Sequence, residues 1–511
     1  MAGKLGNGGT EGTGTEIVAE STRSKSIDSE PNWQQGAIAT VTIESLSNRG
    51  DGVGRWNGGQ AQASKRVLFI PDAVPGDRIR VRLVHVKPSF GHGKIVDIID
   101  PSPHRVTPSC IVADKCGGCQ WQAVNYEMQL QSKYQEICQS LERVGGFAAP
   151  FVHPVMPSQP LQYRNKVTYP VGRSAATDHV QIGYYQKGSH KLVNLNQCPV
   201  QDDAFDPLLA EVKQDIQARG WSIYDERTHS NSLRHLSLRR GRRTGELLLT
   251  LVSRDRRLKG LEEQAEQWLE RYPALVGVCL NINYKRTNAI FGDETLVVAG
   301  QDHIREIFAG LELTIRPTTF FQVNTEQAEQ LLKTIQSTLA LTGNETVVDA
   351  YCGIGTLSLP LAQQVQQVIG IESHPKSITQ ALQNAAANHI DNVGFYEGRV
   401  EALLPRLSEV APTLGIPDVV VLDPPRKGCD GVVLDTLRSL RPPRIVYVSC
   451  NSATLARDLK ILCGSTVPNP ENHTESTELA ERGLYQLDAV HPFDFFPQTA
   501  HVEAIAFLSL V

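Results

Sequence analysis

No stretch of the 511 residues approaches the roughly 18 consecutive apolar residues a spanning helix needs, so a membrane bundle is excluded. Cysteine is scarce for a secreted scaffold. Ten in the whole chain are too few for the small, Cys-dense frameworks that disulfides hold together. Residues 1–35 lack the apolar core of a secretory signal. They also carry Glu11, Glu16 and Glu20 and little Arg, unlike a transit peptide. They read as a disordered leader, and the chain as cytoplasmic with reduced thiols. Positive charge is short as well: 50 Lys and Arg against 55 Asp and Glu, net −5. Phosphate contacts need Lys and Arg, so the total counts weakly against a polyanionic partner. The total is an average over unlike parts. Residues 36–100 hold 9 Lys and Arg against 6 Asp and Glu, residues 150–310 hold 21 against 18, and residues 311–511 hold 13 against 22. The acidity sits in the last part, and the earlier parts are mildly basic.

What is present is ordinary globular material, 41% hydrophobic and 21% charged, in a length that suggests roughly three domains. Residues 36–100 read as a small β-barrel. Ala39–Ile43 and Ile79–Val84 alternate apolar and polar residues, with turns at Asn48–Gly52, Asn57–Gly59 and Pro75–Asp77. Arg78, Arg80 and Arg82 share one strand face, a signal of nucleic-acid binding if that face is free. Residues 101–310 read as a central α+β domain. Its helix after Cys119 carries an apolar stripe of Met128, Tyr134, Ile137, Leu141 and Val144 and stops at Gly145-Gly146. Its basic run Leu238–Arg243 reads as a solvated turn unless it meets phosphate. Residues 311–511 alternate strand and helix, the pattern of a parallel α/β sheet, with a polar insertion at 464–483.

Four constellations carry chemistry. Cys110, Cys116 and Cys119 surround a Gly-Gly turn, with Cys198 the best fourth ligand. Four thiolates fit either a [4Fe–4S] cluster or Zn. Cys138, inside the helix, reads as core. Next, strand 346–350 runs into Tyr351-Cys352-Gly353-Ile354-Gly355-Thr356, and the following strand ends at Glu372. Gly353 and Gly355 allow a tight turn and close backbone approach, and Glu372 is placed for ribose hydroxyls. The third Gly of a dinucleotide site is missing, and no Gly-Lys-Ser/Thr serves a triphosphate. A single-nucleoside cofactor such as S-adenosylmethionine fits better. Third, Asp423-Pro424-Pro425 exits a strand in a stiff loop. Fourth, Ser449-Cys450-Asn451 puts a thiol at the end of another strand, and Glu503 leads into the last one.

With these motifs in this order, the chain resembles the RNA uracil-5 methyltransferases, in particular the iron–sulfur type that modifies 23S ribosomal RNA. The resemblance runs from about Ala37 to Val511. It implies an N-terminal OB-like TRAM barrel, a central α+β domain with a [4Fe–4S] cluster on Cys110, Cys116, Cys119 and Cys198, and a C-terminal Rossmann-like S-adenosylmethionine methyltransferase domain. It implies Cys450 as nucleophile and Glu503 as base. Cofactor contacts fall on Gln322, Tyr351, Gly353, Gly355, Thr356, Glu372 and Asp423. Thr356 stands where relatives often carry Asn, and Gly398-Arg399 departs from a usual adenine contact.

The implied chemistry explains the pair. C5 of uracil is a poor nucleophile until a thiolate adds to C6. After methyl transfer, a base must remove the C5 proton before the thiol leaves. The expected product is 5-methyluridine in 23S ribosomal RNA, made by a monomer that binds no membrane. The same chemistry on transfer RNA is the nearest alternative; bacterial transfer RNA enzymes of this type lack barrel and cluster, whereas some archaeal ones have both. Two further readings are an amino-group N-methyltransferase, which also uses Asp/Asn-Pro-Pro loops but needs no thiol, and a catalytically silent cluster-bearing RNA-binding protein.

Overall fold

The computed structural model describes residues 33–56, 66–148, 150–412, 415–464 and 483–511. The expected leader (but for residues 33–35), the turn at 57–59 and nearly all of the insertion at 464–483 lie outside the described residues. Among the described residues no helix is long and apolar enough to cross a membrane.

Five strands close the N-terminal barrel: β1 (Ile38–Leu46), β2 (Gly52–Trp56), β3 (Arg66–Ile70), β4 (Arg78–Val86) and β5 (Phe90–Asp100), in the order β1-β2-β3-β5-β4. Alternation drives it. Ala39, Val41, Ile43, Ile79, Val81 and Leu83 point inward into one core. Arg78, Arg80 and Arg82 point outward together, as the period requires.

The chain then forms the cysteine loop and helix α1 (Tyr126–Ser140), capped by Asn125. A π-turn follows, closed by Gly146 in the left-handed region. Of the expected apolar stripe, Ile137 and Leu141 are buried and Met128 packs against a small core, while Tyr134 and Val144 are exposed. The helix also buries Gln129, Lys133 and Ser140, which the stripe did not include. Cys138 packs at the edge of a core, as expected. Lys133 and Asp494 are both fully buried, Nζ to Oδ1 at 2.5 Å, and Nζ also donates to the Phe496 carbonyl at 3.1 Å. Removing one partner strands the other charge out of water. Lys133→Ala is therefore expected to lose about 3–5 kcal/mol, read as a fall in the urea midpoint.

The central sheet runs β11-β10-β9-β8-β6-β7. Its elements are β6 (Lys166–Arg173), β7 (Val180–Ile182), α2 (Phe205–Ala218), β8 (Leu233–Arg240), β9 (Leu247–Ser253), α3 (Leu261–Arg271), β10 (Leu275–Ile282) and β11 (Glu294–Gly300). A hairpin, β12 (Ile304–Phe308) and β13 (Leu311–Ile315), leads to helix α4 (Thr325–Leu339).

The C-terminal part is a seven-stranded sheet. Its elements are β14 (Thr346–Ala350), α5 (Ser358–Ala362), β15 (Gln367–Glu372), α6 (Pro375–Ala387), β16 (Val393–Glu397), α7 (Val400–Leu403), α8 (Leu407–Val410), β17 (Val419–Leu422), α9 (Gly431–Leu440), β18 (Arg444–Ser449), α10 (Ser452–Cys463), β19 (Tyr485–Phe493) and β20 (Glu503–Leu510). The order is β16-β15-β14-β17-β18-β20-β19, parallel except where β20 pairs antiparallel with β18 and β19. Val348 and Ala350 of β14 feed one core and Val347 the other, so the sheet is covered on both faces. That is why these strands read as unbroken apolar runs.

Candidate functional site

The strand order lines up the candidate residues along one edge. β15, β14, β17 and β18 all end there, and antiparallel β20 begins there. Glu372, the glycine loop, Asp423, Cys450 and Glu503 thus follow one another across the sheet. Neighbouring strands lie about 4.8 Å apart, so β18 stands about 10 Å from β14. The carboxyl edge of a parallel sheet is also where ligands bind in such folds.

At the β14–β15 end, Glu372 accepts from the Gly353 amide at 3.2 Å and the His374 amide at 2.7 Å. Gly353 and Gly355 have φ of +57° and +86°, and a Cβ on Gly353 would meet open space. Tyr351 also has positive φ, +72°, which costs a residue with a Cβ of order 1–3 kcal/mol and marks a loop held by its surroundings. Its hydroxyl bonds the Cys429 thiol. Thr356 is half-buried in the same loop. Gln322 lies just ahead of α4, with Asn165 Nδ2 donating to its carbonyl at 3.1 Å. Phe320 beside it is 68% exposed. One acid is not among the residues that the sequence motifs single out. Asp349 is buried on β14 with Oδ1 unpartnered, and burial pushes its carboxyl up to about 7. Its place just ahead of Gly-x-Gly is the signal that could have found it.

At the β17–β18–β20 end, Cys450 follows β18 directly and precedes α10, whose N-cap is Asn451. The helix N-terminus favours a thiolate there. Burial pushes the Cys450 thiol up. The neighbouring Glu503 and Asp423 add to that push, and the Arg426 guanidinium opposes it. Glu503 is buried and pushed up to about 8 by burial and the Asp423 charge, again opposed by Arg426. Burial raises Asp423 to about 7. Thiol, two acids and Arg426 therefore share one electrostatic neighbourhood. Sequence reasoning assigns no role to Arg426, although it directly follows the Asp-Pro-Pro motif. The loop bearing it is braced from α10: Asn451 Nδ2 donates to the Arg426 carbonyl at 3.1 Å, Arg457 to the Lys427 carbonyl at 3.0 Å, and Asp458 accepts from the Cys429 amide at 2.9 Å.

Cys110, Cys116, Cys119 and Cys198 line one cavity of about 140 Å³, with Tyr163, Arg164 and Tyr184. Burial pushes the Cys119 thiol up to about 12, and Cys198, Cys116 and Cys110 add to it. Amide donors already face the sulfurs: Gly118 to Cys116 at 3.4 Å, and Val200 and Gln201 to Cys198. Among the described residues no group of three or more His, Cys, Asp or Glu is placed to hold a metal ion.

The basic faces differ from expectation. On the barrel, Arg80 pairs with Asp97 at 2.7 Å and Arg78 with Asp100 at 3.2 Å, because β5 lies alongside and presents acids. The run at 238–243 is neither a free solvated turn nor an open phosphate site. Arg240 and Arg242 both bond Asp202, and Arg242 and Arg243 reach Glu326 and Glu329 on α4. Arg242 and Arg243 tie this run to helix α4.

Comparison with known proteins agrees with this geometry. A family model described as tRNA (uracil-5-)-methyltransferase matches residues 125–510, and a TRAM domain model matches residues 32–96. The chain is 57% identical over 479 residues to an uncharacterized RNA methyltransferase of Nostoc sp., covering 94% of this chain and 97% of that one. It is 38% identical over 474 residues to an uncharacterized RNA methyltransferase of Halalkalibacterium halodurans, covering 93% and 97%. Among solved structures, the Pyrococcus abyssi tRNA (uracil-54, C5)-methyltransferase in complex with S-adenosyl-L-homocysteine is similar at TM-score 0.69 and 25% identity, over 92% of this chain and 99% of that one.

Proposed function

The chain belongs to the tRNA (uracil-5-)-methyltransferase family and is an S-adenosylmethionine-dependent RNA (uracil-C5)-methyltransferase with a TRAM domain; from that premise we propose how its residues divide the reaction and which RNA it modifies. The observation that carries the division is the shared neighbourhood of Cys450, Glu503, Asp423 and Arg426 along the sheet from the glycine loop. Tyr351, Gly353, Gly355, Thr356, Glu372, Asp349 and Gln322 hold the nucleoside cofactor, which supplies an electrophilic methyl. Cys450 adds to C6 of uracil and makes C5 enolate-like. After methyl transfer to C5, Glu503 takes the C5 proton, the C5=C6 bond re-forms and the thiolate leaves. Asp423 lies between the cofactor strand and the thiol. The target base reaches Cys450 only out of its stack, so it is flipped or already unpaired. The exposed Phe320 is a surface on which an unstacked base can rest.

Burial raises both Cys450 and Glu503, and Arg426 tempers the rise. Its charge lowers both the thiol and the carboxyl, and both groups must ionise to act. Turnover is expected to rise with pH through about 8, where Glu503 loses its proton. Arg426→Gln raises both values, so the rising limb moves to higher pH and the rate at neutral pH falls. A kcat profile against pH checks this, and an unmoved limb would remove Arg426 from the role.

The proposed target is 23S ribosomal RNA, and Cys110, Cys116, Cys119 and Cys198 are proposed to hold a [4Fe–4S] cluster. The common cavity, its N–H···S bonds and the barrel support this reading. Methyl transfer from a sulfonium is redox-neutral, so the cluster is given a structural role. Protein purified without air is expected to contain iron and sulfide in equal amounts, both lost in Cys198→Ser; one zinc per chain would contradict it. The similarity to the Pyrococcus abyssi transfer RNA enzyme favours transfer RNA as the second reading. Mapping 5-methyluridine in both RNAs from a strain lacking the gene decides between them. Loss from 23S RNA alone is the expected result.

A further inference from the structure

Helix α1 buries polar side chains beside its apolar stripe, and buried polar groups persist when they are fully bonded. Gln129 is 0% exposed. Its Nε2 donates to the Trp121 and Val124 carbonyls at 3.2 and 2.9 Å and to Gln498 Oε1 at 3.1 Å, and its Oε1 accepts from the Gln498 amide at 2.9 Å. The Gln498 carbonyl in turn accepts from the amides of Gln120 and Trp121 at 3.1 and 3.0 Å, directly after Cys119. Gln498 sits at φ +68°, a conformation a residue with a Cβ holds only when its neighbours impose it.

Gln498 belongs to the loop between β19 and β20, which pair Phe493 with Glu503 at the loop's mouth. That loop spans residues 494–502. Hairpin loops of two to five residues set their own register; one this long needs outside support. Support comes from α1 and the cysteine loop, and also from Asn324 to the Phe495 carbonyl and Tyr163 to the Pro497 carbonyl, each at 3.2 Å, while Cys450 stands between β18 and α10.

We propose that Gln129 is a positioning residue for proton abstraction: through Gln498 it fixes the loop that aims Glu503. The proposal rests on Glu503 being the base. The step it serves moves the C5 proton to the Glu503 carboxylate, returns the C5–H electron pair to the C5=C6 bond, and expels Cys450 as thiolate. Gln129 therefore acts on resolution of the methylated protein–RNA adduct and leaves adduct formation alone.

The test is single turnover with methyl-labelled S-adenosylmethionine and whichever unmodified transcript, 23S ribosomal or transfer RNA, the full-length enzyme methylates. Denaturing gels follow the labelled protein–RNA adduct. Gln129→Leu keeps the side chain's size and removes its four hydrogen bonds, two of them to Gln498. It is expected to form adduct within about twofold of the wild-type rate and to resolve it about 10- to 100-fold more slowly, the scale of a misplaced catalytic group. Resolution at the wild-type rate, or adduct formation lost in parallel, overturns the proposal. If Gln129→Leu melts early, Gln129→Asn, which shortens the amide, is read by the same criteria. Glu503→Gln runs alongside. If it accumulates no adduct, the base assignment fails and takes the positioning role with it. If it accumulates adduct and the Gln129 variants do not, the positioning role alone is wrong.

Discussion

Glu503→Gln is expected to transfer its methyl once and then fail to release the RNA. The substitution keeps the shape of a buried side chain and removes the only state that accepts a proton. Thiolate addition and methyl transfer precede proton abstraction, so neither needs this carboxylate. Turnover is expected to fall by about 10²- to 10⁴-fold, the usual worth of a positioned general base. In the same reaction a covalent complex carrying the methyl group builds up to the concentration of enzyme. Quench-flow with labelled cofactor, followed by a denaturing gel, reads both numbers. A slow variant that accumulates nothing would place Glu503 before methyl transfer, and the order of addition, transfer, abstraction and elimination would be wrong.

Cys450→Ala should remove the reaction itself. Uracil C5 gains its electron density from the thiolate at C6, and Cys450 is the thiol that shares the neighbourhood of Asp423, Glu503 and Arg426. A loss of about 10⁴-fold or more is expected, the scale seen when a covalent nucleophile is deleted. Binding of S-adenosylmethionine should persist, because the glycine loop and Glu372 lie two and three strands away from β18. A Cys450→Ala enzyme that still methylates RNA would point to an amino group as the acceptor, the chemistry that Asp-Pro-Pro loops also serve.

The catalytic sheet was legible from sequence because both of its faces are covered. Continuous runs such as Val419–Leu422 coincide with the strand, and polar exits at Asp423 and Cys450 mark the edge where ligands bind. What stayed hidden depends on partners distant in sequence. The Arg78 and Arg80 face looked basic because the answering acids, Asp100 and Asp97, lie on another strand. The arginines at 240–243 looked free because Asp202, Glu326 and Glu329 come from other segments. Helix α1 read as an apolar stripe, and Ile137 and Leu141 of that stripe are buried. Its buried Gln129 and Lys133 were not legible, because Asp494, Phe496 and Gln498, more than three hundred residues on, satisfy them. Periodicity reports apolar burial, and it misses polar side chains buried on hydrogen bonds. Arg426 was in plain view after Pro425, but its effect on Cys450 and Glu503 needs the fold to bring three strands to one edge.

The central claim is a covalent bond between Cys450 and the target uracil. RNA transcribed with 5-fluorouridine tests it most directly, since fluorine at C5 cannot leave as a proton and the adduct is trapped. With wild-type enzyme and S-adenosylmethionine, the expected result is a stable protein–RNA complex whose digest carries the methylated fluorouracil on Cys450. Enzyme that methylates ordinary RNA yet forms no such complex, or carries it on another residue, would contradict covalent catalysis by Cys450.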